Sequence, residues 1–143
     1  MFDRPTEFDH ATLLAVLART DVTRLTALAE TLLPQLVEVE VLHSRTGLVM
    51  LPMRDTVKGT DFHLGEVLVA EAHLRATGCE GYGMVVGRNL EQAMAMAVVD
   101  AVASLGQSPE ILAFLAAESA EIIVRDTARL CEVEATRVEM ETF

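Results

Sequence analysis

The stretch EGYGMVVGRNLEQAMAMAVVDA, residues 80–101, changes its hydrophobic period from that of a strand to that of a helix. Its three glycines, Gly81, Gly83 and Gly87, are spaced one residue too widely for a dinucleotide-binding fingerprint. The first two also lie inside the predicted strand instead of after it. The pattern therefore indicates a strand-to-helix junction.

The junction itself, Gly87-Arg88-Asn89, has two interpretations. A helix start leaves backbone N–H groups free, where an anion is favoured, and the guanidinium of Arg88 would add to such a site. Alternatively the segment is structural: Gly87 takes a positive φ, Asn89 caps the helix, and Arg88 is solvated or paired with an acid. The structural interpretation is the commoner outcome for turns of this kind.

Asp100 lies at the edge of the apolar stripe of the predicted helix, on a face of small residues. A carboxylate in such a place needs a hydrogen bond or a charged partner. We expect a neighbouring turn or Arg88 to provide it, and we do not expect Asp100 to be catalytic. Gly87, Arg88, Asn89 and Asp100 are thus the candidate contacts with an anion or a partner protein.

The part of the chain before the junction predicts helices and then strands. Two short helices are expected within residues 6–33, with Asp21 as the N-cap of the second. A hairpin is expected within residues 36–53, with its turn at Thr46-Gly47. Further strand segments are expected at residues 62–64, 67–76 and 82–86.

Two helices should follow the junction. A period of 3.6 residues runs from Leu90 to a stop at Gly106, and Ser108-Pro109 then opens a helix that continues into the 130s. The sequence therefore predicts an α+β fold in a single domain, residues 1–143. Its antiparallel sheet should have four to five strands, flanked by two N-terminal and two C-terminal helices.

The charge of the chain limits its partners. With 22 acidic and 11 basic side chains the formal net charge is −11, which repels nucleic-acid phosphates and anionic lipid headgroups alike. No apolar stretch reaches the roughly 18 to 20 residues of a membrane helix, and the N-terminus does not resemble a secretory signal. We expect a cytoplasmic protein that binds neither nucleic acid nor membranes.

Motifs for independent chemistry are missing from the sequence. No two histidines have metal-ligand spacing, and there is neither a Gly-x-Ser-x-Gly elbow nor a P-loop lysine motif. We therefore predict no catalytic residue, no metal site and no cofactor bound by this chain. The four histidines are His10, His43, His63 and His73.

The C-terminal sequence RVEMETF alternates apolar and acidic residues in part. Such a segment could lie on a partner protein as a strand or arm, with its apolar groups on one side. The alternative is a frayed tail. The candidate residues of a partner arm are Arg137, Val138, Met140 and Phe143.

Five segments in the same order resemble the PhnG family, which belongs to the carbon-phosphorus lyase system of bacterial phosphonate breakdown. The resemblance covers nearly the whole chain, and Gly87, Arg88 and Asp100 match the family pattern. It is weaker in the loop DTVKGT and in the N-terminal helices. The five segments are TGLVML, FHLGEVLV, GYGMVVGRN, AMAVVDA and EVEATRV.

The resemblance implies a subunit of a core complex that also contains PhnI-type, PhnH-type and PhnJ-type subunits. Such a complex uses ATP as a substrate and replaces its adenine with a phosphonate, giving a ribose 1-phosphonate 5-triphosphate. In the family this transferase chemistry is assigned mainly to the PhnI-type subunit. No catalytic residue is therefore carried over to this chain.

Two other functions are compatible with the sequence. The chain could be a small-anion-binding or sensor domain without enzyme activity, which would use the helix start at Gly87. It could also be an independent enzyme, which would need activity without any other subunit. An isolated chain whose normal partner is missing is expected to expose an apolar face, through which two copies could form a homodimer.

Overall fold

A computed structural model describes residues 7–76 and 78–139 of the chain. The described part has an α+β fold, as predicted. None of its helices is long and apolar enough to cross a membrane. A short 3₁₀ turn, Leu33–Gln35, follows the second helix. The elements in chain order are α1 (His10–Ala18), α2 (Val22–Leu32), β1 (Glu40–Arg54), β2 (Asp61–Ala76), β3 (Cys79–Val86), α3 (Leu90–Leu105) and α4 (Pro109–Ala135).

The sheet has three antiparallel strands in the order β1-β2-β3 within the described residues, so the prediction of four to five strands is wrong. The predicted turn at Thr46-Gly47 does not exist, because Gly47 pairs with Val69 in the middle of β1. The chain instead turns after Asp55, whose backbone N–H donates to the carbonyl of Thr60 at 2.9 Å. The apolar segments on either side of Gly47 therefore belong to one strand.

The segments predicted at residues 62–64 and 67–76 also form a single strand, β2. The pairing register with β1 shifts between Leu51 and Pro52, which leaves Leu64 as the extra residue on β2. A bulge therefore occurs beside Gly65, a residue type that often marks such irregularities in a strand. A bulge bends a strand without ending it, so an interruption in the apolar pattern was mistaken for a strand boundary.

The helix ends were predicted correctly because their signals are local. The carboxylate of Asp21 accepts a hydrogen bond from the backbone N–H of Arg24 at 3.1 Å, which caps α2. Ser108 caps α4 in the same way, and Pro109 is the first residue of that helix. Gly106 follows the last residue of α3 with φ 154°.

The core lies on one face of the sheet, where α3 covers β2 and β3. Alternate residues of β2 point to this face, so Ala70, Ala72 and Leu74 are fully buried. On β3 the same face carries Gly81 and Gly83. α1 and α2 pack against α3 and complete the core with their leucines.

Helix α3 lies directly on β3 because the glycines of the strand have no side chain. A Cβ built on Gly81 would overlap the carbonyl oxygen of Ala97 and lie 2.7 Å from the Cβ of Ala101. A Cβ on Gly83 would overlap the carbonyl oxygen of Ala93. Both obstacles are helix backbone, which cannot move aside without shifting the whole helix.

Gly83→Ala should therefore destabilise the fold by about 3 kcal/mol or more, since it forces α3 away from the sheet. Urea unfolding followed by circular dichroism measures the change. Gly47→Ala is the matched control, because a Cβ at Gly47 meets nothing within 4 Å and the residue lies in a strand as well. Equal stability of the two variants would contradict the close contact.

Candidate functional site

The junction between β3 and α3 has the structural features that its sequence suggested. Gly87 has a φ of 107°, and its N–H donates to the carbonyl of Leu68 at 2.9 Å. The side-chain oxygen of Asn89 accepts from the N–H of Gln92 at 2.9 Å and caps α3. The N–H of Gln92, one of the helix-start amides that could hold an anion, is therefore already bonded.

Arg88 differs from its two neighbours because it contributes nothing to the junction. Its side chain is exposed and makes no hydrogen bond or ion pair with any described residue. An arginine held at a rigid turn with its guanidinium free is available for an external carboxylate or phosphate. Of the four candidate contact residues, it is the one whose side chain is free to bind another molecule.

Asp100 is buried, with 3% of its surface exposed, and both of its carboxylate oxygens have partners. One oxygen accepts the backbone N–H of Tyr82 at 2.9 Å, and the other lies 2.8 Å from Nε2 of His10. Arg88, one of the two partners expected from the sequence, is not among them. Because β3 is an outer strand of the sheet, Asp100 bonds an amide that has no neighbouring strand.

His10 is the residue that sequence reasoning missed. It is the first residue of α1 and lies 90 positions before Asp100, and its side chain is 69% exposed. A spacing of 90 residues carries no local signal, so the pair could be found only from the packing of α1 against α3. The pair joins the N-terminal helix to the α3–β3 unit.

A cavity of about 550 Å³ opens next to this pair. Four acidic residues and one histidine are among those that line it: Glu7, Asp9, Glu80, Asp100 and His10. A second polar contact lies in the wall of the cavity. The side-chain amide of Gln107 accepts from the N–H of Phe8 at 2.8 Å and donates to its carbonyl at 2.6 Å. The arrangement holds the start of α1 against the end of α3.

The electrostatics of the cavity are those of an acidic site. Hydrogen bonds from Arg75 and then from His73 lower the pKa of Glu80 below its usual value, and a hydrogen bond from Thr12 lowers the pKa of Asp9. Both carboxyl groups therefore stay ionised at neutral pH. Arg75 and His10 offset part of the charge of Glu80 and Asp100, whereas Glu7 and Asp9 form no ion pair with a described residue. The remaining negative charge disfavours anions such as triphosphates and phosphonates.

A metal site has no support in the described part of the chain, since no three histidine, cysteine or acidic side chains are grouped as ligands there. The C-terminal candidates lie elsewhere in the fold. Arg137 follows the end of α4 and pairs with Glu134 at 3.1 Å, and Val138 is 78% exposed. Met140 and Phe143 are outside the described residues, so the predicted partner arm stays a prediction.

Asp100→Ala should destabilise the chain by roughly 1 to 3 kcal/mol, because the N–H of Tyr82 then loses its acceptor in a nearly buried position. His10→Ala should cost less than about 1 kcal/mol, since the histidine is mostly exposed. Urea unfolding of both variants tests the order. If Asp100→Ala is as stable as the parent chain, the carboxylate does not hold the strand edge.

Comparison with known proteins adds one finding. A family model described as "Phosphonate metabolism protein PhnG" matches residues 10–143, which is all but the first nine residues. No curated protein matches the chain.

Proposed function

The chain belongs to the PhnG family of phosphonate metabolism proteins, and on this premise we propose that it is a supporting subunit of the carbon-phosphorus lyase core complex. In that role it helps a PhnI-type subunit to displace adenine from ATP with a phosphonate, which forms a ribose 1-phosphonate 5-triphosphate. The complex would act as a transferase in the cytoplasm, and its other members would be of the PhnH and PhnJ types.

The observation that carries the proposal is the extent of the family match, because it spans every helix and strand of the described fold. A match of this length makes a role outside phosphonate metabolism difficult to sustain. The role of a supporting subunit, as opposed to a catalytic one, depends on the chemistry of the chain's own surface.

The acidic cavity is consistent with a subunit that assists the reaction without binding its substrates. Four carboxyl groups line it, and the two buried oxygens of Asp100 are already bonded to His10 and Tyr82. ATP and a phosphonate together bring several negative charges, which such a wall would repel. Binding and reaction of the two substrates therefore fit a different subunit better, and no residue of this chain receives a catalytic role.

Arg88 is the residue through which this chain would contact that subunit at the junction. Its backbone is held by a glycine turn and a capped helix, so its side chain starts from a defined place and can still adjust to a partner. A carboxylate of the partner is a suitable acceptor, since guanidinium and carboxylate form two parallel hydrogen bonds.

Reconstitution of the reaction tests the proposal. The purified chain alone should release no adenine from ATP and methylphosphonate, whereas adding it to the PhnI-type, PhnH-type and PhnJ-type subunits should raise the rate of adenine release. High-performance liquid chromatography of adenine provides the measurement. Turnover by the chain alone would make it an independent enzyme, and phosphate binding without any effect on the other subunits would favour the small-anion alternative.

Arg88→Ala should impair growth on methylphosphonate as the sole phosphorus source, or weaken assembly of the complex, while leaving the thermal midpoint of the isolated chain unchanged. The reason is that Arg88 is exposed and its side chain bonds no other described residue. Arg129→Ala is the control, because Arg129 is also exposed but lies on α4, away from the junction in sequence. Wild-type growth and assembly of the Arg88→Ala strain would contradict a contact at the junction.

A further inference from the structure

The second half of β1, the loop after it and the first half of β2 form an arm that extends beyond the rest of the sheet. We call residues 47–68 the apolar arm. β3 pairs with β2 only from Val69 onward, so the arm has two strands and no third. Its strands are held by their mutual pairing, including the pair Leu48–Leu68.

Both faces of the apolar arm carry large apolar side chains. Leu48, Val49, Met50 and Leu51 are consecutive on β1, with exposed fractions of 61%, 38%, 51% and 38%. Successive side chains of a strand point to opposite faces. Leu48 and Met50 therefore lie on the face that continues the core side of the sheet, and Val49 and Leu51 lie on the other face.

This composition does not fit a strand in contact with water. A continuous apolar run is typical of strands that are covered on both faces, whereas a strand with one wet face alternates apolar and polar residues. An uncovered two-stranded hairpin is also only marginally stable in water. The described residues of this chain cover neither face of the arm, which is the arrangement expected of a surface that another molecule covers.

We propose that the apolar arm inserts into a cleft of a second, non-identical protein, whose two walls are apolar and uncharged. The inference rests on the proposed function, because it assigns the arm to a subunit of the same complex. The arm has 22 residues, which is close to the roughly 20 to 30 residues that one side of a standard protein interface contributes.

The charge distribution gives the chemistry of the partner. The arm carries two basic and three acidic side chains in a chain with a net charge of −11. Two of these charges, Arg54 and Asp61, neutralise each other across the strands at 2.8 Å. The arm is thus a nearly neutral part of an acidic protein. A partner with apolar cleft walls and a basic rim would complement both parts of this surface.

A second copy of the chain fits the arm less well. Two chains that each carry a net charge of −11 repel each other before any contact forms. The free edge of β1 could in principle pair with the same edge of another copy. However, Pro52 lies on that outer strand, and proline has no N–H to donate, which hinders edge-to-edge pairing.

Paired substitutions on each face of the arm test the inference. Leu48→Ser with Met50→Ser alters one face, and Val49→Ser with Leu51→Ser alters the other. Leu33→Ser with Leu105→Ser is the control, because both residues lie outside the arm and are 44% and 57% exposed, which is close to the exposure of the arm residues. Each protein is titrated against the co-purified PhnI-type, PhnH-type and PhnJ-type subunits by calorimetry, and its own stability and mass are measured by circular dichroism and light scattering.

Each arm variant should bind the other subunits roughly tenfold more weakly or worse, as loss of apolar anchors at an interface centre does. The control pair should bind like the parent chain, and all the proteins should remain folded at the temperature of the titration. An arm variant with parental affinity would overturn the inference, because insertion into a cleft requires both faces to be covered.

Three results that overturn the inference are distinguishable from one another. If the parent chain is a dimer that the arm substitutions dissociate, the arm belongs to a second copy. If the parent chain binds none of the three subunits, the proposed function fails together with the inference. If the parent chain binds them and both arm variants bind equally well, the proposed function stands and only the arm is wrong.

Discussion

The contact between two glycines of β3 and the alanine face of α3 is the constraint on which the rest of this structure depends. Gly81 and Gly83 let the helix backbone approach the strand so closely that a single added Cβ would overlap it. This distance brings Asp100 to the free edge of β3, where it accepts the N–H of Tyr82. It also fixes the turn at Gly87, and with it the position of Arg88. A larger residue at either glycine would displace all three.

The same contact explains why the protein has a covered and an uncovered side. Because α3 lies flat on the sheet, α1 and α2 can pack against it, and no helix within residues 7–76 and 78–139 forms a layer on the opposite face of the sheet. Polar contacts on the helical side, such as that of His10 with Asp100, link α1 to α3. The apolar residues of the arm remain exposed on the strands. A domain normally buries its apolar surfaces between its own layers, so this exposure supports the proposal that the chain is a subunit of a complex.

The family and the physical chemistry of the chain lead to the same kind of function. Membership of the PhnG family places the chain in phosphonate metabolism. Arg88, whose side chain bonds no other described residue, and the exposed apolar arm are the surfaces through which we propose that the chain contacts other proteins. The supporting role is therefore proposed from the surfaces that the chain presents, and its partners are proposed from the family.

The sequence by itself determined the features that depend on a few neighbouring residues. The caps at Asp21, Asn89 and Ser108, the positive φ of Gly87 and the change of period at the junction were predicted, because each is set by contacts within about one turn of a helix or strand. Only the tertiary structure decided the pairing of His10 with Asp100, the union of the segments around Gly47 into one strand, and the exposure of the arm. These features depend on which elements pack together. A run of apolar residues has the same sequence pattern whether its own chain or another molecule buries it.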